Sequence, residues 1–414
     1  MNLNRVVVTG MGLVTPLGDN LETYWKNLIS GKSGIGLISL IDTTDHVTKI
    51  AGEIKDFEPL EFIDKKDTRR MDRFTQFAIV AAEKAILHSK INFDNVDRDQ
   101  VGVIVSSGIG GMSTYERECK NLFDKGPRRV SPFFIPMLIL DITPGYISMR
   151  HGLRGVNYST VSACASSSHA IGDAFHHIRH GRAKVIITGG SEAPLTQMGV
   201  AGFNALKALS TRNDAPEKAS RPFDLDRNGF IMGEGSGILV LEDLQHAKAR
   251  GATIYGEIVG TGFTADAYHI TAPVPDGNGA TRAMKLALKE ANLTIDEVDY
   301  INAHGTSTQQ NDKIETMAIK NVFGKRAYDI PISSTKSMIG HLLGASGAVE
   351  AITSFLTINQ REIHPTANYE TPDPNCDLNY VPGKSMKKDV NAVISNSFGF
   401  GGHNVTLAFK KYSE

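Results

Sequence analysis

The sequence predicts an α/β protein built from two similar halves. Short β-branched runs alternate with helical stretches along all 414 residues, a pattern typical of sheets whose central strands are buried between helices. The order of strands, turns and helices in the first half repeats in the second. No Pro-, Gly- or Ser-rich linker separates the halves, so we expect one duplicated architecture rather than two unrelated domains.

The first half is predicted to contain three strands and a helix that follows a turn of small residues. The apolar start of the chain indicates a buried strand that runs into a turn at Gly10–Gly12. A second strand covers residues 101–105. The turn around Cys164 then leads into a helix at residues 171–178, and a third strand follows at residues 184–188.

The second half repeats these parts in the same order. Its matching segments are a strand at residues 298–302, a turn at 334–347, a helix at 348–359 and a strand at 392–395. We therefore divide the chain into an N-terminal half, residues 1–253, and a C-terminal half, residues 254–414. Loops at the same ends of the two half-sheets would converge on one pocket, where parallel α/β sheets usually hold their chemistry.

Composition excludes several functional classes. The net charge of −1 argues against a surface built for nucleic acid. The cysteines Cys119, Cys164 and Cys376 are too few and too scattered for a disulfide framework, and no His or Cys spacing indicates a metal. No apolar run reaches the roughly 18 residues of a membrane span, and the start of the chain lacks a signal peptide's apolar region. We expect a cytoplasmic protein.

Cys164 is the candidate nucleophile. It lies among small residues at the predicted start of a helix, where unpaired N–H groups and the helix dipole favour the thiolate. A lone cysteine is more often a small buried hydrophobe. Two glycine-rich turns centred on His304 and His341 favour the chemical interpretation, because cysteine with histidine suggests covalent acyl chemistry.

The two histidines suit an enolate better than a hydrolytic triad. A hydrolase would need one histidine as a base and an acid to orient it. Two imidazole N–H groups aimed at one oxygen would instead stabilise the enolate formed when a β-keto thioester loses its carboxylate. Lys336, five residues before His341, could pair with Glu350 and bias protonation nearby, or it could simply form a surface ion pair.

Several motifs together resemble the β-ketoacyl-acyl-carrier-protein synthases, the condensing enzymes of bacterial fatty acid synthesis, and within them the type II enzymes. The resemblance covers nearly the whole chain. Besides the cysteine, histidine and lysine motifs, it rests on residues 5–18, 209–214, 220–224, 266–269 and 396–402. It implies a thiolase-like duplicated fold, a five-layered αβαβα arrangement with two mixed sheets, and a homodimer.

The resemblance also implies a role for each matching residue. Cys164 would accept the acyl group, His304 and His341 would promote decarboxylation of a malonyl-carrier, Lys336 would support them, and Phe400 would act as a gate. The N–H groups of Cys164 and Phe400 would form the oxyanion hole. The residues expected to bind substrate are Ile109, Phe203, Thr271, Thr306, Thr308, Gly399 and Gly401.

The partner implied by the family is an acyl carrier protein that delivers acyl and malonyl groups on phosphopantetheine. No metal or redox cofactor is implied, although the family leaves room for a structural monovalent cation. Because the carrier is acidic, a basic docking face is expected. Its candidates are Lys65, Lys66, Arg69, Arg70, Lys125, Arg128, Arg129 and Lys207; such charge runs are as often merely solvated.

Two departures from the family pattern concern the mouth of the pocket. His403 stands where threonine commonly follows the glycine motif, and residues 309–311 read Gln-Gln-Asn in place of a small-residue turn. Three alternatives therefore stay open: a ketosynthase of a specialised polyketide or aryl-polyene pathway, a non-catalytic chain-length partner subunit, and a biosynthetic thiolase. The second usually lacks the nucleophile. The third needs a second cysteine near the C-terminal glycines, and Cys376 lies outside that motif.

Overall fold

Ten strands form one mixed sheet in the computed structural model, which describes residues 3–414. The helices of this range are α1 (Leu21–Ile29), α2 (Lys65–Thr68), α3 (Arg73–Ser89), α4 (Met112–Lys125), α5 (Phe134–Leu138), α6 (Ile142–His151), α7 (Ser166–Arg179), α8 (Gln197–Ala205), α9 (Leu244–Ala249), α10 (Asn278–Ala291), α11 (Gln309–Phe323), α12 (Lys336–Ile339) and α13 (Ser346–Gln360). The strands are β1 (Val6–Val14), β2 (Gly36–Leu37), β3 (Ile50–Ala51), β4 (Val101–Ser106), β5 (Asn157–Tyr158), β6 (Val185–Glu192), β7 (Gly235–Asp243), β8 (Gly256–Ala265), β9 (Tyr300–Asn302), β10 (Ile332–Ser333), β11 (Glu362–Ile363), β12 (Met386–Lys387), β13 (Ala392–Gly399) and β14 (His403–Lys410).

The strand order repeats between the two halves. From the outer edge inward, the first half runs β5-β4-β6-β7-β1, and the second runs β10-β9-β13-β14-β8. In each half the three outer strands are parallel, while the two inner strands alternate in direction. The repeated order of parts expected from the sequence is therefore present. The proposed boundary at residues 253 and 254 falls between α9 and β8 and stays a prediction.

The helices and half-sheets stack in five layers, and the expected thiolase-like class is confirmed. One apolar core packs α3 and α6 against the first half-sheet. A second places α7 and α13 between the two half-sheets. A third packs α10 and α11 against the outer face of the second half-sheet. The difference from the expected two sheets is that β1 pairs with β8 over Val6–Val8, which joins the halves into one continuous sheet.

The predicted turn at Gly10–Gly12 is wrong, because β1 continues without interruption through these glycines. The sheet shows a register shift between Val8 and Gly10, typical of a β-bulge. The glycines are needed because α3 crosses at close range. A Cβ at Gly10 would lie 2.3 Å from a carbonyl oxygen of α3, and one at Gly12 would lie 2.2 Å from another.

Candidate active site

A cavity of about 670 Å³ lies where turns from both halves meet. Most of the residues predicted for catalysis and substrate binding line it, together with one of the basic candidates: Ile109, Cys164, Phe203, Lys207, Thr271, His304, Thr306, Thr308, His341, Gly399 and Phe400. Two predicted residues do not line it. Lys336 is buried beside the site, and Gly401 lies on the exposed hairpin after β13.

Cys164 lies in a strained turn that occurs once in each half. Residues Ala163–Ala165 form a single 3₁₀ turn before α7. Ala163 adopts a φ of +50°, a backbone conformation that residues other than glycine seldom adopt. The turn Leu343–Ala345 before α13 repeats this conformation, with a φ of +45° at Leu343. Gly344 therefore occupies the position in the second half that Cys164 occupies in the first.

The Cys164 thiol is held protonated rather than as the thiolate expected from its place before a helix. Burial raises its pKa to about 12, while the charge of Lys336 and the backbone N–H of Phe400 act in the opposite direction. The N–H of Cys164 itself also lowers this pKa. Burial thus outweighs the helix N-terminus in the resting site. The two N–H groups expected to form an oxyanion hole both act on the sulfur.

His304 and His341 face one another across the cavity as neutral rings. Their ring centroids lie 5.3 Å apart with nearly perpendicular planes. Burial and the nearby charge of Lys336 lower the pKa of both rings well below the ordinary value, and His341 further lowers the pKa of His304. The Nδ1 atom of His341 lies 2.9 Å from the hydroxyl of Ser346. When that hydroxyl donates, the neutral ring carries its proton on Nε2.

Lys336 forms the ion pair expected with Glu350, and both side chains are only 1% exposed. This excludes the alternative of a surface ion pair. Burial raises the pKa of the Glu350 carboxyl to about 7, although Lys336 lowers it. After burial, which is the largest cause for each group, the lysine charge is the next influence on the pKa values of Cys164, His304 and His341.

Sequence reasoning missed the carboxylate beneath His304. Glu315, on α11, accepts hydrogen bonds at 2.8 Å from the backbone N–H groups of His304 and Gly305, and a longer one from the Asn396 amide. Burial raises its pKa to about 7. An acidic residue within a helix usually indicates an exposed face, so the sequence held no signal for it. The sequence reasoning also did not identify Phe230, whose ring lies edge-on to His341 at 5.3 Å.

The departure at residues 309–311 has a local explanation. These residues form the first turn of α11 and line the cavity mouth. Thr308 caps this helix by accepting a hydrogen bond from the N–H of Asn311, and its hydroxyl lies 3.0 Å from that of Thr306. The helix start therefore fixes both threonines at the entrance.

Phe400 lies at the tip of the hairpin between β13 and β14. Gly401 and Gly402 follow it with φ values of +88° and +74°, which glycine adopts without strain. His403, the second departure, packs beside this tip, since a Cβ at Gly401 would lie 2.8 Å from its ring.

Most of the basic candidates for docking are exposed and lie on α2 and around the end of α4. The guanidinium of Arg70, which is half-buried, lies 4.8 Å from the ring centre of Phe133, the residue before α5. Lys207 is exposed and reaches the cavity mouth. Within residues 3–414, no group of three or more His, Cys, Asp or Glu side chains is arranged to hold a metal ion. The structural monovalent cation for which the family leaves room is untested.

Two protein-family models match the chain: "Beta-ketoacyl synthase, N-terminal domain" over residues 3–247 and "Beta-ketoacyl synthase, C-terminal domain" over residues 255–370. The chain belongs to the beta-ketoacyl synthase family. Among curated beta-ketoacyl synthases, it is 54% identical to 3-oxoacyl-[acyl-carrier-protein] synthase 2 of Synechocystis over 408 residues, which cover 99% of this chain and 98% of the relative. It is 53% identical over the same coverage to the enzyme of that name from Staphylococcus aureus strain N315.

Solved structures of beta-ketoacyl synthases and ketosynthases share the fold. A beta-ketoacyl synthase from Burkholderia phymatum is 37% identical, with a TM-score of 0.92 over 99% of this chain and 100% of that one. A type II polyketide synthase acyl-carrier protein in complex with its ketosynthase provides another match, 34% identical with a TM-score of 0.91 over the same shares. Of the helices within residues 3–414, none combines the length and apolarity that crossing a membrane requires.

Proposed function

We propose that this chain is a 3-oxoacyl-[acyl-carrier-protein] synthase that elongates a cysteine-bound acyl chain by two carbons in fatty acid synthesis. The observation that carries the proposal is the convergence of a buried thiol from one half with two neutral imidazoles from the other in a single cavity. The full-length likeness to curated enzymes of that name supports the same reaction.

In the first step, the Cys164 sulfur attacks the thioester of an acyl-carrier. The sulfur–carbonyl bond forms, the carrier's thioester bond breaks, and the carrier leaves as a free thiol with the cysteine proton. The N–H groups of Cys164 and Phe400 stabilise the tetrahedral oxyanion. Because burial holds the pKa of the thiol near 12, its proton must leave as the bond forms rather than beforehand.

In the second step, a malonyl-carrier enters and Thr306 and Thr308 hydrogen-bond its phosphopantetheine arm. The malonyl group loses carbon dioxide, and the electron pair of the broken bond forms an enolate. Neutral His304 and His341 donate hydrogen bonds to the enolate oxygen, where charge develops. Lys336 acts as a positioning residue whose charge disfavours imidazolium, so that both rings remain donors without carrying a charge of their own.

In the third step, the enolate carbon attacks the Cys164 thioester. A carbon–carbon bond forms, the sulfur leaves, and one proton from solvent returns to it, which gives a 3-ketoacyl-carrier two carbons longer. The non-catalytic chain-length subunit is disfavoured because Cys164 is present and lines the cavity. The higher identity to fatty acid enzymes than to the polyketide ketosynthase favours the primary pathway.

We also propose that the protein is a homodimer that docks an acidic carrier on its basic residues. The outermost strand β5 ends the sheet with an unpaired edge, which natural proteins usually cover. The exposed apolar side chains Met149 and Val161 lie close to β5 in the sequence, one before it and one after it. Replacing Val161 by lysine should yield monomers in light scattering.

Replacing Lys65 and Lys66 by glutamate should raise KM for acyl-carrier, with little effect on kcat, and the rise should be largest at low salt.

Intact-mass spectrometry tests the reaction. The protein is mixed with acyl-carriers of graded chain length, beside a Cys164→Ala control, and then chased with malonyl-carrier. An adduct confined to the cysteine protein, and discharged as a longer ketoacyl-carrier, is the expected result. Absence of an adduct at every length would contradict a stand-alone synthase and indicate a partner-dependent subunit or a specialised primer.

A further inference from the structure

Glu192 is a buried carboxylate that the proposed reaction does not use. It is the last residue of β6, its side chain is 0% exposed, and it lies behind the cavity wall rather than in it. It accepts four hydrogen bonds. Oε1 receives the Ser107 hydroxyl at 2.7 Å and the Ile109 N–H at 3.1 Å, while Oε2 receives the Gly108 N–H at 2.7 Å and the Gly344 N–H at 2.9 Å.

These four donors come from two turns that belong to different halves of the molecule. The turn at Ser107–Ile109 follows β4, and Gly344 belongs to the turn that repeats the conformation of the Cys164 turn. The turns touch, since a Cβ at Gly344 would lie 2.2 Å from the Gly108 nitrogen. One carboxylate therefore joins the two turns at their closest approach.

Both turns also place side chains on the cavity wall. Ile109 and Leu343 line the cavity and belong to the same apolar cluster as Cys164. The N–H of Ile109 donates a hydrogen bond to Glu192, and so does the N–H of Gly344, the residue after Leu343. Any shift of the carboxylate must therefore move apolar groups that would touch an acyl chain on Cys164.

We propose that Glu192 is a positioning residue that holds Ile109 and Leu343 in place and thereby determines which acyl chains the cavity admits. The inference deepens the proposed function and rests on it for the nature of the chain. Burial raises the pKa of the Glu192 carboxyl, and its four hydrogen bonds act in the opposite direction. Three of the four partners are backbone N–H groups that can only donate, which favours the ionised form. Its charge also acts on the nucleophile, since it raises the pKa of the Cys164 thiol.

Glu192→Gln is the first test, because the amide keeps the shape but turns an NH₂ group toward one pair of donors. We would measure how fast N-alkylmaleimides of graded chain length label Cys164, read by intact mass beside Cys164→Ala. This readout needs no carrier recognition. Glu242→Gln is the matched control, since Glu242 is an equally buried glutamate at the far end of the neighbouring strand β7.

We expect Glu192→Gln to change discrimination between long and short alkyl chains by about tenfold, the lower end of what one methylene contact contributes. Glu242→Gln should keep the wild-type profile. A folded Glu192→Gln protein with the wild-type profile would overturn the proposal. If that variant does not fold, Ser107→Ala decides: a smaller change in length preference supports the proposal, and a wild-type profile overturns it.

Acyl-carriers of graded length then separate this inference from the proposed function. We expect the variant to show the same altered length preference in acylation of Cys164. If wild-type protein accepts no acyl group from any carrier while the maleimide profile still changes in Glu192→Gln, the proposed function fails and the positioning role of Glu192 stands.

Discussion

The pair of histidines offers the sharpest quantitative test of the mechanism. If His304 and His341 donate to the same enolate oxygen, removing either one leaves the other in place. Loss of one preorganised donor to a developing oxyanion costs roughly 10²–10³ in rate, or about 3–4 kcal/mol. Since the two rings lie 5.3 Å apart and share one target, the double variant should lose much less than the product of the single losses.

Single-turnover kinetics isolate this step from acylation. Protein already acylated at Cys164 is mixed with malonyl-carrier, and the ketoacyl-carrier is followed by mass for His304→Ala, His341→Ala and the double variant. His88→Ala is a suitable control, because His88 lies on α3, outside the cavity. Titration of these two rings should not change the wild-type rate between pH 6.5 and 8, because their pKa values lie well below 6.5.

Two results would refute this reasoning. A His341→Ala protein within tenfold of the wild-type rate would mean that its ring is not an essential donor. Fully multiplicative losses in the double variant would mean that the rings act on different atoms or in different steps.

Four further outcomes are expected for stability in denaturant titrations. Lys336→Met should lower the free energy of unfolding by about 3–5 kcal/mol, because it leaves Glu350 buried without its cation. The double variant Lys336→Met with Glu350→Leu should recover most of that loss. An equal loss in the single and double variants would contradict the pairing. Burial lowers the pKa of His364 from 6.5 to about 4. Its contribution to stability is therefore fully present above pH 6.5 and declines by about 3 kcal/mol as the pH falls to 4, a slope that His364→Gln should reduce. Gly10→Ala should destabilise strongly, because its Cβ would meet a carbonyl at 2.3 Å. Gly145→Ala, in α6 with nothing within 4 Å of its Cβ, should instead gain about 0.5–1 kcal/mol.

The repeat and the convergence of loops could be predicted from the sequence because both depend on local order. Strands with β-branched runs and turns rich in glycine appear at matching places, and parallel strands bring their following turns to one edge. The ion pair of Lys336 and Glu350 could also be predicted, because both residues lie in motifs that flank the same turn.

The rest could not be predicted, because it depends on distant contacts. At Gly10, β1 continues where α3 packs too closely for a Cβ, and the local sequence does not reveal that contact. The protonated state of Cys164 is decided by burial, which outweighs the helix terminus that the sequence does show. Glu192 accepts hydrogen bonds from backbone N–H groups between 83 and 152 residues away, whereas the N–H groups that Glu315 binds lie 10 and 11 residues before it. The residue type alone predicts neither contact.

The short pairing of β1 with β8 has a mechanical consequence. The thiol belongs to one half of the molecule and both imidazoles belong to the other, so the candidate site needs both halves. The distance between them is set by how the halves are joined. Hydrogen bonds between Val6–Val8 and residues 256–258 make the sheet continuous across that junction. The junction therefore favours a constant spacing between the thiol and the two imidazoles.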